Sequence, residues 1–137
     1  MENIQQKMAT FFNGTCYGYC LTHYFKPNFS VAEMSLALLN AWNYKYLEDD
    51  AYVAFPIKYV NYVLGITNVI DVTKVQITSL SELPKGEWIV EYKKLPTDKE
   101  SHFVIATSKK ITFDPSGNSN TVKVGKPVSY RKFIYKK

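Results

Sequence analysis

The sequence predicts an α+β domain in which N-terminal helices pack on a C-terminal antiparallel β-sheet. Three observations predict it. Apolar residues at helical spacing fill the first half of the chain, as far as Gly65. Beyond Gly65, β-branched and aromatic residues dominate, interrupted by turn clusters. No strand–helix–strand alternation and no glycine-rich phosphate loop is present, which argues against parallel nucleotide-binding folds. At 137 residues, the chain is read as a single domain spanning 1–137.

The elements follow in order. Gly14-Thr15 precede an apolar stretch from Cys16 to Phe25, with Thr15 as the expected N-cap and Pro27 as the stop. Ser30-Val31-Ala32-Glu33 fits a capping box, with Phe29 placed to staple against Met34. Leu38, Leu39 and Trp42 continue that helix's stripe. A third helix is expected from Pro56, a favoured first position, to Gly65, burying Ile57, Val60, Val63 and Leu64. Strands are expected at Val69–Thr78, Glu87–Lys93, His102–Thr107, Lys110–Asp114, Thr121–Val124 and Tyr130–Tyr135. Leu83-Pro84-Lys85-Gly86 and Asp114-Pro115-Ser116-Gly117 read as turns.

Composition excludes several classes. With 46% hydrophobic and 21% charged residues, the chain is not intrinsically disordered. Two cysteines are too few for a disulfide framework. No apolar run approaches the ~20 residues that span a bilayer, so no membrane partner is expected. The segment MENIQQKMATFFNG lacks the features of a secretory signal, so the expected compartment is the cytoplasm. The net charge of +5 gathers partly at Lys126, Arg131, Lys132, Lys136 and Lys137. The other lysines are scattered rather than interleaved with aromatics, so no nucleic-acid partner is expected. Tyrosine is abundant, with 11 residues; Tyr17, Tyr19, Tyr59 and Tyr62 suit either a substrate groove or a core.

The chemistry concentrates in Cys16, Cys20, His23, His102 and Asp114. A cysteine at a helix start gains thiolate stabilisation from the free N–H groups and the dipole there. Those N–H groups also hold a developing oxyanion. Cys20, one turn deeper, reads as core, and a Cys16–Cys20 disulfide within a helix has poor geometry. A zinc set of Cys16, Cys20, His23 and His102 is disfavoured, because Cys16 and His23 lie about 10.5 Å apart along a helix axis. No metal and no organic cofactor is expected. The same distance keeps His23 from serving Cys16 as a base, and His23 reads as a partly buried helix histidine.

His102 opens the strand HFVIA, and Asp114 ends the next, ITFD. A cysteine nucleophile needs a base within hydrogen-bond reach and gains from a third group that orients the imidazole. A register that sets residues 105 and 113 opposite each other puts Phe103, Ile105, Ile111 and Phe113 on one face. It puts His102, Val104, Thr112 and Asp114 on the other. That register requires an odd-length loop around Ser108-Lys109-Lys110.

In this order of residues the chain resembles the papain-like cysteine peptidase superfamily. It is nearest to the compact branch of bacteriocin-leader-processing peptidases and related phage or plasmid-borne domains. Cys16-Tyr17-Gly18-Tyr19-Cys20-Leu21 resembles that branch's nucleophile segment. Ser101-His102-Phe103-Val104-Ile105 resembles its histidine strand, and Ile111-Thr112-Phe113-Asp114-Pro115 its orienting Asp-Pro. The resemblance implies a papain-like fold, Cys16 as nucleophile, His102 as general base and acid, and Asp114 as orienter. It also implies an oxyanion-hole side chain ahead of the nucleophile, for which Gln6 is the best match, with Gln5 and Asn13 as rivals. Gln6 stands farther from the cysteine than the branch usually places it, and Tyr17 replaces its usual glycine.

Two readings of different class follow. The first is a thiol hydrolase acting on a peptide or isopeptide amide of a peptide or protein substrate. The second is a catalytically inactive papain-like module that binds a protein or peptide. A low-pKa Cys16 would react with iodoacetamide in mild acid, and a structural thiol would not.

Overall fold

The computed structural model describes residues 12–48, 52–95, 97–98, 101–116 and 120–137. The element order is helices first, then strands. Helix α1 spans Phe12–Phe25, α2 Val31–Asn43, and α3 Pro56–Lys58, which continues into a wider π-type turn over Tyr59–Val63. The strands are β1 (Val69–Gln76), β2 (Trp88–Lys93), β3 (His102–Ala106), β4 (Ile111–Phe113) and β5 (Lys126–Tyr135), with a short helix α4 (Asn120–Val124) before β5. The strands form one sheet in the order β1-β5-β2-β3-β4. Every pairing is antiparallel. The chain is therefore α+β, with N-terminal helices and a C-terminal five-stranded antiparallel sheet.

Local signals explain the helices. Ser30 caps α2 by accepting from the Glu33 N–H at 3.1 Å, and Glu33 accepts from the Ser30 N–H at 2.9 Å. This reciprocal box satisfies two donors that a helix start otherwise leaves open. Pro56 opens α3 as expected. The Thr15 cap is corrected: α1 already includes Phe12 through Thr15, so Thr15 lies inside the helix and is buried. The expected strand at Thr121–Val124 is also corrected, because that segment is α4. Gly125 N–H turns back to the Thr121 carbonyl at 2.8 Å and closes a helical turn. The strand preference of three β-branched residues is too weak to resist that local closure.

The sheet is buried on both faces. On one face α1, α2 and the α3 segment cover Ile89, Phe103, Ile105, Val69 and Phe133, together with Leu21, Leu38, Tyr59 and Val60. On the other, Val90, Tyr92, Val104, Ala106 and Tyr130 pack with Ile77 and Leu83, and with Val122 of α4. This double cover is why β3 is buried at every residue. Each fully buried Leu, Ile or Val contributes about 1.5–3 kcal/mol relative to exposure. Tyr59 is fully buried and bonds Thr22, so it belongs to the core, whereas Tyr62 is exposed.

The β3–β4 hairpin combines one expected feature with one correction. Ile105 pairs with Phe113, as the apolar pattern requires. The loop is not odd. Thr107 N–H bonds the Lys110 carbonyl at 2.9 Å around a tight turn at Ser108–Lys109, and Ala106 pairs with Ile111. A bulge between these two pairings supplies the extra residue. The face expected for Ile111 is therefore corrected: it packs with the far cluster, whereas Phe113 packs with Phe103 and Ile105 in the helix-side cluster. β4 thus meets β3 only at Ile105 and Ala106, and residues 102–104 are left with no β4 partner.

Gly18 lets α1 come close to Leu38 and Val53. A Cβ there would stand 2.5 Å from Leu38 Cδ2 and 3.3 Å from Val53 Cγ2. Gly18→Val is expected to destabilise the fold by about 1–3 kcal/mol through overpacking. Gly18→Ala is expected to be milder, since better helix propensity offsets about 1 kcal/mol. Urea denaturation of the two variants checks the order.

Candidate active site

Cys16 lies in the second turn of α1, and α1 packs against β3. Where β4 stops short, the edge of β3 at residues 102–104 is open to the helix. The Phe103 N–H bonds the Cys16 sulfur there. His102, first residue of β3, brings its Nδ1 to 3.0 Å from Cys16 Sγ. Its other ring nitrogen, Nε2, is 2.7 Å from Asp114 Oδ1. Three residues separated by 86 and 12 positions in sequence thus form one hydrogen-bonded line.

The bonds assign the histidine tautomer. A carboxylate only accepts, so Nε2 carries the proton toward Asp114 and Nδ1 faces the thiol as acceptor. Asp114 is itself held. Its Oδ1 accepts from the Ser116 N–H at 3.0 Å and the Ser116 hydroxyl at 2.9 Å. Ser116 Oγ also stands 3.4 Å from His102 Nε2. Sequence reasoning treated Ser116 only as part of a turn. Its signal was present, since an Asp followed two residues later by Ser is a side-chain-capped turn.

The electrostatics are those of a closed site. Burial pushes the Cys16 thiol up to about 11, against the lowering by the Phe103 N–H, and the Asp114 charge adds to the rise. Cys16 is only 5% exposed. The expected lowering at a helix start is therefore corrected: Cys16 sits past the first turn, and desolvation outweighs the remaining donors. Burial also raises Asp114, but the bonds from His102 and Ser116 and the charge of His102 outweigh it and hold its carboxyl below the usual range.

The remaining residues sort themselves by position. Cys20 is fully buried and free, as a core residue should be. His23 stacks flat on Phe113, with ring centroids 4.1 Å apart, and its Nδ1 has no partner. Cys16 and His102 bond each other rather than gathering with Cys20 and His23, and among the described residues no group of three or more His, Cys, Asp or Glu is arranged to hold a metal ion. Gln5 and Gln6 lie outside the described residues, and of Asn13 only the backbone, in the first turn of α1, is described. No helix among the described residues is long and apolar enough to cross a membrane.

Sequence reasoning missed a second polar cluster beside the triad. Arg131, Glu91 and Ser129 lie buried or nearly so on the helix-facing side, next to Tyr17 and Phe103. In sequence they are three polar residues on two strands, and only strand pairing brings them together: Glu91 stands opposite Phe103 on one side and Ser129 on the other.

No curated protein and no solved structure matches the chain. One family model does, over residues 1–135, and on that match the chain belongs to DUF261, a family of proteins of unknown function.

Proposed function

We propose that the protein is a thiol hydrolase of papain-like type that cleaves a peptide or isopeptide amide. The observation that carries the reading is the continuous line from Cys16 Sγ through His102 to Asp114, at 3.0 and 2.7 Å. Cys16 attacks the carbonyl carbon while its proton passes to His102 Nδ1. The imidazolium so formed is stabilised by Asp114 through Nε2. His102 then gives the proton to the leaving amine, and the acyl group remains as a thioester on Cys16. Water, deprotonated by His102, attacks the thioester and restores the thiol. Because burial favours the neutral thiol, negative charge on Cys16 is costly until the attack begins. The chemistry draws on side chains alone. A cytoplasmic site of action and a peptide or protein substrate belong to the same proposal.

A second reading, an inactive module of the same fold that binds a protein or peptide, is favoured by one observation. Cys16 is 5% exposed, which leaves little sulfur surface for a substrate. The two readings separate on whether purified protein cleaves peptides in a defined library. Cys16-dependent cleavage establishes the hydrolase, and binding without cleavage establishes the module.

Cys16→Ala is expected to abolish cleavage and leave the fold intact. Cys20→Ala, at a fully buried position, is expected to cost about 1 kcal/mol and keep activity. Retained cleavage in Cys16→Ala would show that the nucleophile lies elsewhere.

Asp114→Asn is expected to lower the cleavage rate on the order of 10²-fold without unfolding the protein. It also has a signature in acid. A carboxyl held below its ordinary value stabilises the fold above its unfolded pKa, and that stabilisation is lost as pH falls through the folded pKa. Urea midpoints across an acid pH series should therefore fall less steeply in Asp114→Asn than in the wild type.

A further inference from the structure

Arg131 joins the surroundings of Cys16 to those of His102. Its guanidinium carbon lies 5.7 Å from the ring centroid of Tyr17, the residue after Cys16. It lies 5.2 Å from that of Phe103, the residue after His102. The two rings touch, with centroids 4.6 Å apart. The Arg131 charge also acts on the Tyr17 and Tyr52 hydroxyls and favours their ionised forms. Its own position is fixed from the sheet: Nη1 donates to Ser129 Oγ at 2.8 Å and stands 3.5 Å from Glu91 Oε1. Glu91 accepts from Ser129 at 2.7 Å and pairs with Lys74 at 3.3 Å. The residue after the histidine and the residue after the cysteine therefore converge on one guanidinium–carboxylate pair.

We infer that Arg131, anchored by Glu91, is a positioning residue that holds Cys16 against His102 by clamping Tyr17 and Phe103 together. Stability alone is a poor account of this arrangement. Burying two charges costs desolvation, and replacing such a pair with apolar residues is often neutral for folding. Geometry is a better account. The thiol is held only where α1 meets the open edge of β3, and a misplacement of about 1 Å at a reacting pair can cost on the order of 10²-fold in rate. Arginine suits the task because its flat fork reaches several acceptors while its face lies on aromatic rings.

The inference rests on the hydrolase reading, but its test does not require a substrate. The probe is iodoacetamide, and the readout is alkylation of Cys16 at about pH 7 followed by mass spectrometry. The part of the rate that depends on His102 is the wild-type rate less that of His102→Ala. General-base help of this kind contributes on the order of 10²-fold or more. The double variant Arg131→Met with Glu91→Gln leaves no unpaired buried charge. It is expected to fold, by circular dichroism and urea midpoint, and to lose at least about tenfold of the His102-dependent rate. A folded double variant that alkylates like the wild type overturns the inference. If that variant fails to fold, Arg131→Lys decides, because it keeps the charge opposite Glu91 without the flat fork. A fall of the same order supports the clamp, and a wild-type rate overturns it.

A wild-type rate equal to that of His102→Ala also overturns the inference, since no Cys16–His102 coupling then exists to be held. Failure of the hydrolase reading is distinct. A wild type that cleaves no peptide, yet shows the Arg131-dependent alkylation, loses the hydrolase and keeps the clamp. A wild type that cleaves peptides, with Arg131 variants unchanged in both cleavage and alkylation, keeps the hydrolase and loses the clamp.

Discussion

Much of this structure depends on one constraint: β4 ends early. Because β4 pairs with β3 only at Ile105 and Ala106, the edge of β3 at residues 102–104 is left for α1. An open strand edge carries unpaired backbone groups that must find partners. Here the Phe103 N–H finds the sulfur of Cys16. The same early ending frees Asp114 to turn back over the edge toward His102, with Ser116 securing the turn. A longer β4 would complete the ladder and leave the cysteine no strand edge to meet.

Placement of the triad between helix and sheet carries an electrostatic cost. Desolvation holds the thiol neutral, while hydrogen bonds hold the carboxylate ionised. These opposite shifts arise within one short line of side chains and follow from what each group touches. Cys16 meets mainly apolar neighbours, including Tyr17, Phe103 and Cys20. Asp114 receives three donors from His102 and Ser116.

The polar cluster of Arg131, Glu91 and Ser129 lies on the helix-facing side of the sheet, beside Tyr17 and Phe103. Its members come from β2 and β5, adjacent strands far apart in the chain. Tyr17, which stands where the resembled branch usually has glycine, is what the cluster holds. Its ring lies on Phe103 and against Tyr52, and the Arg131 guanidinium stands over it. A bulky residue beside Cys16 is thus built into the packing rather than left to shield the sulfur loosely.

Local physics made much of the chain legible as sequence. The Ser30–Glu33 box, Pro56, the strand cores and the pairing of Ile105 with Phe113 depend on near neighbours or on period alone, so they can be read without the fold. Cys16, His102 and Asp114 were legible as chemistry, because few residue types can serve as nucleophile, base and orienter. Other features were decided by tertiary structure. Thr15 falls inside α1, and the segment at Thr121–Val124 curls into a helix despite its strand-like residues. The hairpin keeps the pairing of Ile105 with Phe113 through a bulge rather than an odd loop, and the bulge moves Ile111 to the other face, because the packing of Phe113 on the helix side acts from outside the hairpin. Arg131 gave no signal as a sequence, since a lysine- and arginine-rich C-terminal segment reads as solvated surface. Only the pairing of β5 between β1 and β2 buries it beside Glu91, and burial in a paired network is a property of the assembled sheet, not of any stretch of chain.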